Sequence, residues 1–242
     1  MSAGAIFQEA LRILNRQHLP RVSQQDLLAV LEACRPGPLA FLYEAGAEAG
    51  LSHQQLLLRA AAIYFNYCAG HLADDLSDGD CTYLAEPFRT GPCAQAILQT
   101  LFFFTLVEAE LSQPTLSAAM QELVAAVGLQ HVEVRTKQWT APVFRAVAEG
   151  IAGRQWSAYM QILWCDTALA SRAATTGMNA GLVALVVADI RSGDVRYTTL
   201  PATDKREVVT WAVAAAQALR QENLRCLDVL VQEIDPILKE AV

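Results

Sequence analysis

Asp74-Asp75-Leu76-Ser77-Asp78-Gly79-Asp80 sets four carboxylates and a helix-ending glycine at the tail of a long apolar run. The run from Leu51 to Leu76 reads as helix, which puts Asp74 and Asp78 one turn apart on one face, with Asp75 beside them. Such an end is locally unfavourable. Like charges at i and i+4 repel, and acids at a helix C-terminus oppose the helix dipole, each by about 0.3 to 1 kcal/mol. Oxygen ligands on a short array suit Mg²⁺, which takes one or two carboxylates and completes its octahedron with water and phosphate oxygens. A calcium-binding EF-hand loop starting at Asp74 fails, because its third and twelfth positions hold Leu76 and Ala85. Two readings stand, a solvated acidic helix end and a metal site; the preceding apolar stretch Ala60 to Ala73 places the acids at the mouth of a core.

Composition narrows the class. A chain of 242 residues with 53% hydrophobic and 18% charged residues can fill a large core, so disorder is excluded. A net charge of -7 and the lack of any lysine- or arginine-rich run argue against nucleic acid as a partner. Cys34, Cys68, Cys81, Cys93, Cys165 and Cys226 are scattered without a CxxC pair, which reads as reduced, buried thiols in a cytoplasmic protein. Met1 to Leu19 carries Glu9, Arg12 and Arg16 and has no signal-peptide core. Thr90 to Val107 is uncharged but holds Gly91 and Pro92, and reads as a buried helix rather than a membrane span.

Apolar residues recur at three- and four-residue spacing, and the prolines fall almost entirely between those runs, the punctuation of a helical bundle. The spacing predicts helices over about residues 4–17, 24–34, 37–49, 53–78, 93–110, 115–138, 142–174, 178–191, 204–221 and 223–240. Ser23, Ser52 and Thr203 are candidate N-caps, and Ser23 with Asp26 resembles a capping box. The β-branched runs His131 to Thr136 and Leu182 to Val187 are too few to build a sheet. The expectation is one all-α domain over residues 1–242.

Asp74-Asp75-Leu76-Ser77-Asp78 at the end of such a helix resembles the first aspartate-rich motif of the trans-prenyltransferases, polyprenyl diphosphate synthases with the isoprenoid (terpenoid) synthase fold. Further pieces follow in the family's order. Arg35-Pro36 and the stretch Leu39 to Gly46 resemble its early arginine-proline helix, and Arg154-Gln155 its glycine-glutamine segment. Gly177 to Gly181, followed by Ala188-Asp189-Ile190-Arg191-Ser192, matches the spacing of the helix with the second aspartate-rich motif. Asp194 to Pro201 resembles its threonine-leucine-proline segment. The resemblance implies a helical bundle around an apolar cavity, with Mg²⁺ held by Asp74, Asp75 and Asp78, the catalytic acids, and by Asp189. It further implies a prenyl diphosphate contacted by Arg35, Tyr67, Ala69, Gly70, Arg154 and Gln155, with Asp80 as a marginal extra acid. In that chemistry the metal stabilises departing pyrophosphate while a dry cavity shelters the cation that remains.

The sequence departs from this pattern mainly in its basic groups. The family's early lysine falls on Glu32, its histidine before the first motif on Tyr67, its paired arginines on Tyr83 and Leu84, and a later lysine on Asp166. In the second motif Ala188 and Ser192 replace aspartates, leaving Asp189. A second diphosphate held by such groups gains about 1.5 to 3 kcal/mol per charged contact, so their loss disfavours chain elongation. Terpene cyclases share the fold and use a single diphosphate, but of their second metal motif only Ser192 agrees, with Ala188 and Arg196 at the other positions. Arg172 before Gly177 loosely matches a cyclase diphosphate sensor and reads better as a surface charge.

The remaining candidates read mainly as packing. Phe102, Phe103 and Phe104 cannot share one helix face, so at least one is ordinary core. His71, on the helix leading to Asp74, reads better as a partly buried, satisfied histidine than as a ligand or base; Trp139, Trp156, Trp164 and Trp211 read as packing residues, and no serine or cysteine sits in a hydrolase elbow. The reading is a divergent isoprenoid synthase that ionises a prenyl diphosphate, for transfer or cyclisation. Its rival is a non-catalytic subunit or prenyl-binding protein of the same fold. The resemblance also implies a homodimer, with the 93–110 helix at its interface, and no stable membrane insertion.

Overall fold

Ser52 begins the central helix of the first half of the chain. Its hydroxyl accepts the Gln55 N–H (3.3 Å), while the Gln55 side-chain carbonyl accepts the Ser52 N–H (3.2 Å), a reciprocal capping box. The computed structural model describes residues 3–16, 21–34, 39–86, 89, 97, 100–101 and 113–240. Arg35, Cys93, Phe102 to Phe104, most of the 93–110 helix and the Asp78 side chain lie outside the described residues. The chain forms two compact units, Met1–Ser112 and Gln113–Val242.

In the first unit α1 (Ala3–Arg16), α2 (Arg21–Ala33) and α3 (Leu39–Glu48) pack on α4 (His53–Asp78). The continuous run Ala60 to Phe65 is fully buried, as are Cys68, Ala69 and Leu72. A helix buried on every face needs no amphipathic stripe, and three consecutive alanines, Ala60 to Ala62, let its neighbours approach closely. The one hydroxyl in that run is satisfied, since Tyr64 donates to the Leu31 carbonyl and pins the end of α2 to α4. Burial of side chains such as Ile63 and Phe65 contributes about 1.5 to 3 kcal/mol each.

The second unit is built on α5 (Gln113–Arg135), α6 (Ala141–Ala148), α7 (Arg154–Trp164), α8 (Ala173–Ser192), the short α9 (Val195–Thr198), α10 (Ala202–Gln221) and α11 (Arg225–Glu240). A π-turn over Glu149–Gly153 joins α6 to α7. Helix α8 is long and apolar enough to cross a membrane by length and composition alone, yet α6, α7, α10 and α11 all pack against it, which makes it the core helix of this unit. Glycines set the closest approach. A Cβ on Gly177 would lie 2.6 Å from Ser157 Cα and one on Gly181 2.6 Å from the Ala152 carbonyl carbon, so α8 meets α7 and the π-turn backbone to backbone.

Two sequence expectations about elements change. The predicted helix over 142–174 is broken after Trp164, because Cys165 leaves helical geometry (φ -54°, ψ 146°), Asp166 turns left-handed (φ 59°) and the Thr167 hydroxyl bonds the Trp164 carbonyl (2.7 Å) and the Leu169 N–H (3.2 Å). Side-chain bonds of this kind offer the backbone an alternative to helix. Ser23 lies inside α2, and Thr203 lies inside α10, whose N-cap position is Pro201. The runs His131 to Arg135 and Leu182 to Val187 are helical, and no strand occurs among the described residues.

Candidate functional site at the end of α4

Helix α4 ends on Gly79, which takes the left-handed conformation (φ 81°) that glycine adopts without a Cβ penalty. The Asp75 carbonyl accepts N–H bonds from Gly79, Asp80 (2.9 Å) and Cys81 (3.2 Å), so the chain wraps around this single oxygen as it leaves the helix. Asp74 is exposed and Asp75 half-buried, and the last turn carries no basic residue. The dipole penalty anticipated from sequence therefore stands without a local cation on the helix itself.

Tyr83 returns to this end and donates its hydroxyl to Asp75 Oδ2 at 2.7 Å. Burial, and then the Asp75 charge, hold the Tyr83 phenol far above its ordinary value, so it stays protonated and acts as a donor. Arg89, the basic residue nearest in sequence after the motif, turns back on its own loop, with Nε 2.7 Å from the Leu84 carbonyl.

Below the acids, Ala69 is fully buried, Gly70 half-buried and His71 exposed. The Tyr67 ring meets His71 edge-on at 4.3 Å between centroids, and burial pushes its phenol up to about 12. The neighbouring Cys68 thiol is pushed well up, first by burial and then by Cys34, which marks it as inert. Asp74, Asp75, Tyr67, Ala69 and Gly70 thus share one helix end in the first unit.

The other expected site residues belong to the second unit. Arg154 opens α7 and its Nη1 donates to Glu122 Oε2 at 2.9 Å, with Gln155 half-buried beside it in sequence. Arg172 pairs with Glu222 at 2.7 Å, the surface ion pair that suits its sequence reading. Asp189 is buried in α8, where its Oδ1 accepts Arg196 Nη2 at 2.7 Å and its Oδ2 has no hydrogen-bond partner among the described residues. Burial pushes its carboxyl up to about 6 against the attraction of Arg196.

Among the described residues no three His, Cys, Asp or Glu side chains are arranged to hold a metal ion. Mg²⁺ asks for less, since it binds through one or two carboxylates and keeps water and phosphate oxygens for the rest. The hard, acidic donors of Asp74 and Asp75 at the α4 terminus fit that ion, with one oxygen of Asp75 oriented by Tyr83.

No family model matches the sequence, and no curated protein matches it. Solved structures do. A geranyltransferase from Legionella pneumophila is similar over 99% of this chain and 94% of its own, with a TM-score of 0.72 and 15% identity. A geranyltranstransferase from Thermotoga maritima covers 98% and 97%, with a TM-score of 0.67 and 14% identity. The chain has the isoprenoid synthase fold. An isoprenoid synthase family member from Thermotoga neapolitana, covering 96% and 98% at a TM-score of 0.69 and 14% identity, has it too.

Within the isoprenoid synthase fold, the residues that sequence reasoning missed are partners rather than principals. Tyr83 carries a hydrogen bond to Asp75 although it was visible only as a missing arginine. Glu122 and Glu133 stand more than thirty and sixty positions from the arginines they pair with, and no local spacing announces them. The Arg196 partnership with Asp189 was missed as well, although a local signal existed: Arg196 follows Asp189 by seven positions across the helix-ending Gly193.

Proposed function

We propose that this protein binds a prenyl diphosphate through Mg²⁺ at Asp74, Asp75 and Asp78 and promotes its ionisation, for prenyl transfer or cyclisation. The observation that carries this reading is the acid pair Asp74 and Asp75 closing a helix whose centre, Ala60 to Phe65, is fully buried, with no basic residue in its last turn. Bound there, the metal supplies charge neutralisation for the departing pyrophosphate. The isoprenoid synthase fold, shared with two enzymes described as geranyl transferring, supports the substrate class.

The chain's own residues have distinct parts in this reading. Tyr83 fixes the Asp75 carboxylate, so less ordering is required on binding. Tyr67, Ala69 and Gly70 form the apolar approach beneath the acids, where small side chains leave room for a prenyl tail and exclude water. The family resemblance offers Arg35, Arg154 and Gln155 as diphosphate contacts, and Arg154 takes that part only in exchange with Glu122. Asp189, which the sequence offered as a further metal ligand, is tied to Arg196 and is left out of this set. We place the protein in the cytoplasm and read it as a homodimer.

A second reading is favoured by the same ion pairs. With Arg154 on Glu122 and Asp189 on Arg196, two expected substrate-side groups are already engaged, as in a protein that binds a prenyl diphosphate without turning it over. Incubation with geranyl, farnesyl and geranylgeranyl diphosphates, with and without isopentenyl diphosphate and Mg²⁺, separates the two. Pyrophosphate release from one diphosphate alone supports ionisation with cyclisation or hydrolysis. Product only with both diphosphates means elongation. Mg²⁺-dependent binding without turnover supports the non-catalytic reading, and no Mg²⁺-dependent binding removes the metal site.

A further inference from the structure

Three carboxylates from three places in the second unit converge on one guanidinium. Arg196 Nη2 donates to Asp189 Oδ1 on α8 at 2.7 Å, its Nε donates to Asp194 Oδ1 on the following turn at 3.2 Å, and its Nη1 donates to Glu133 on α5. Asp194 is itself fixed, because the same Oδ1 accepts the Arg196 backbone N–H at 2.8 Å. The Arg196 side chain is 20% exposed and that of Asp189 2% exposed, so the patch is mostly withdrawn from water. Two features set it apart from an ordinary ion pair. Three carboxylates share this one guanidinium, and Asp189 Oδ2 is buried without a hydrogen-bond partner among the described residues. Arginine stays charged inside proteins and offers five donors in a fixed fork, which suits it to bridge several carboxylates at once.

We propose that the Arg196 guanidinium is the resident cation of the Glu133, Asp189 and Asp194 patch, and that it keeps out a divalent ion which these acids would take in its absence. A divalent cation among these oxygens would lie against a fixed positive charge that cannot be lost by deprotonation. The three acids are not arranged to hold a metal as they stand; removing the guanidinium leaves them to relieve their mutual repulsion by closing on a hard cation such as Mg²⁺ or Mn²⁺, with one buried oxygen already lacking a partner. The inference deepens the proposed function by confining its metal to the α4 acids, and it stands on the geometry of the second unit alone.

Titrating the full-length protein with Mn²⁺ alone and counting bound ion by electron paramagnetic resonance tests it. Asp189→Asn is expected to leave Mn²⁺ uptake at the wild-type level. Arg196→Ala is expected to take up a further ion, with a Mn²⁺-dependent rise in melting temperature that the wild type lacks, and adding Asp189→Asn to it removes both gains. Loss of an ion from the wild-type complement on Asp189→Asn overturns the proposal. So does an Arg196→Ala protein with wild-type helical circular dichroism that gains no ion. If Arg196→Ala does not fold, Arg196→Gln takes its place, and Asp189→Asn decides independently of both. A wild-type protein that binds no Mn²⁺ defeats the α4 metal reading, while a gain in Arg196→Ala would still uphold this one.

Discussion

Two carboxylates carry the chemistry of individual residues, and their surroundings differ. Asp75 is half-buried and receives the Tyr83 hydroxyl. A hydrogen bond to a charged group contributes about 1.5 to 3 kcal/mol, part of which acts by holding the carboxylate in place. Tyr83→Phe is therefore expected to weaken Mg²⁺-dependent diphosphate binding by about tenfold while leaving the melting temperature within a few degrees, as read by calorimetric titration and thermal melts. Asp189 sits in the opposite situation. Its folded-state value of about 6 lies above the ordinary 3.8, so the folded protein holds this proton where the unfolded chain releases it. The stability that this group contributes is present at low pH and is lost as pH rises through about 6. Urea midpoints at pH 5 and 7.5 are expected to show a loss of about 1 kcal/mol in the wild type that is absent from Asp189→Asn. Parallel profiles for the two proteins would count against it.

At the level of elements, the decisive contacts are those between α8 and the backbone of α7 and the π-turn. Gly177→Ala would drive a methyl group into the Ser157 backbone, which has no flexible end to yield, and is expected to cost about 2 to 3 kcal/mol in denaturant unfolding. Gly128 on α5 makes the control, because a Cβ there meets nothing within 4 Å. Gly128→Ala is expected to raise stability by about 0.5 to 1 kcal/mol, the helix propensity difference. The same elements show how far the sequence reads. Helix α4 was legible from end to end, since Ser52, Gln55 and Gly79 are capping residues with local signatures. The break between α7 and α8 was not legible, because no proline or glycine marks it and Asp166 takes a left-handed turn that few sequences advertise. Capping residues advertise themselves by type and spacing, whereas that break rests on a threonine hydroxyl and a left-handed aspartate, residue types that also occur inside helices.

For the whole molecule, fold and function were legible to different depths. The order of the motif fragments from Arg35 to Pro201 led to the isoprenoid synthase fold, which TM-scores of 0.72 and 0.67 against solved structures bore out at only 15% and 14% identity. Core packing tolerates such divergence as long as the volume and the helical pattern are kept. Ion-pair partners do not travel with pattern: Glu122 for Arg154 and Glu133 for Arg196 are chosen by tertiary proximity, so the sequence presented Arg154 as available when it is engaged. The cysteine reading also belongs to this scale. Cys34, Cys68, Cys81, Cys165 and Cys226 are buried thiols outside any disulfide among the described residues. The native protein is expected to react slowly with a soluble thiol reagent at these positions and quickly in urea, with no change of melting temperature on adding reductant. Rapid modification of all five in the folded state would contradict their burial.

The turn around the Asp75 carbonyl has a kinetic consequence. Because Gly79, Asp80 and Cys81 all hang from that oxygen, and Tyr83 returns to the side chain of the same residue, the segment cannot swing aside without unwinding the last turn of α4. It is a threshold and not a door. Ligands crossing it would meet a barrier set by their own shedding of water, and their exchange rates should be insensitive to glycine substitutions at Cys81 and Thr82, whose side chains take no part in the turn.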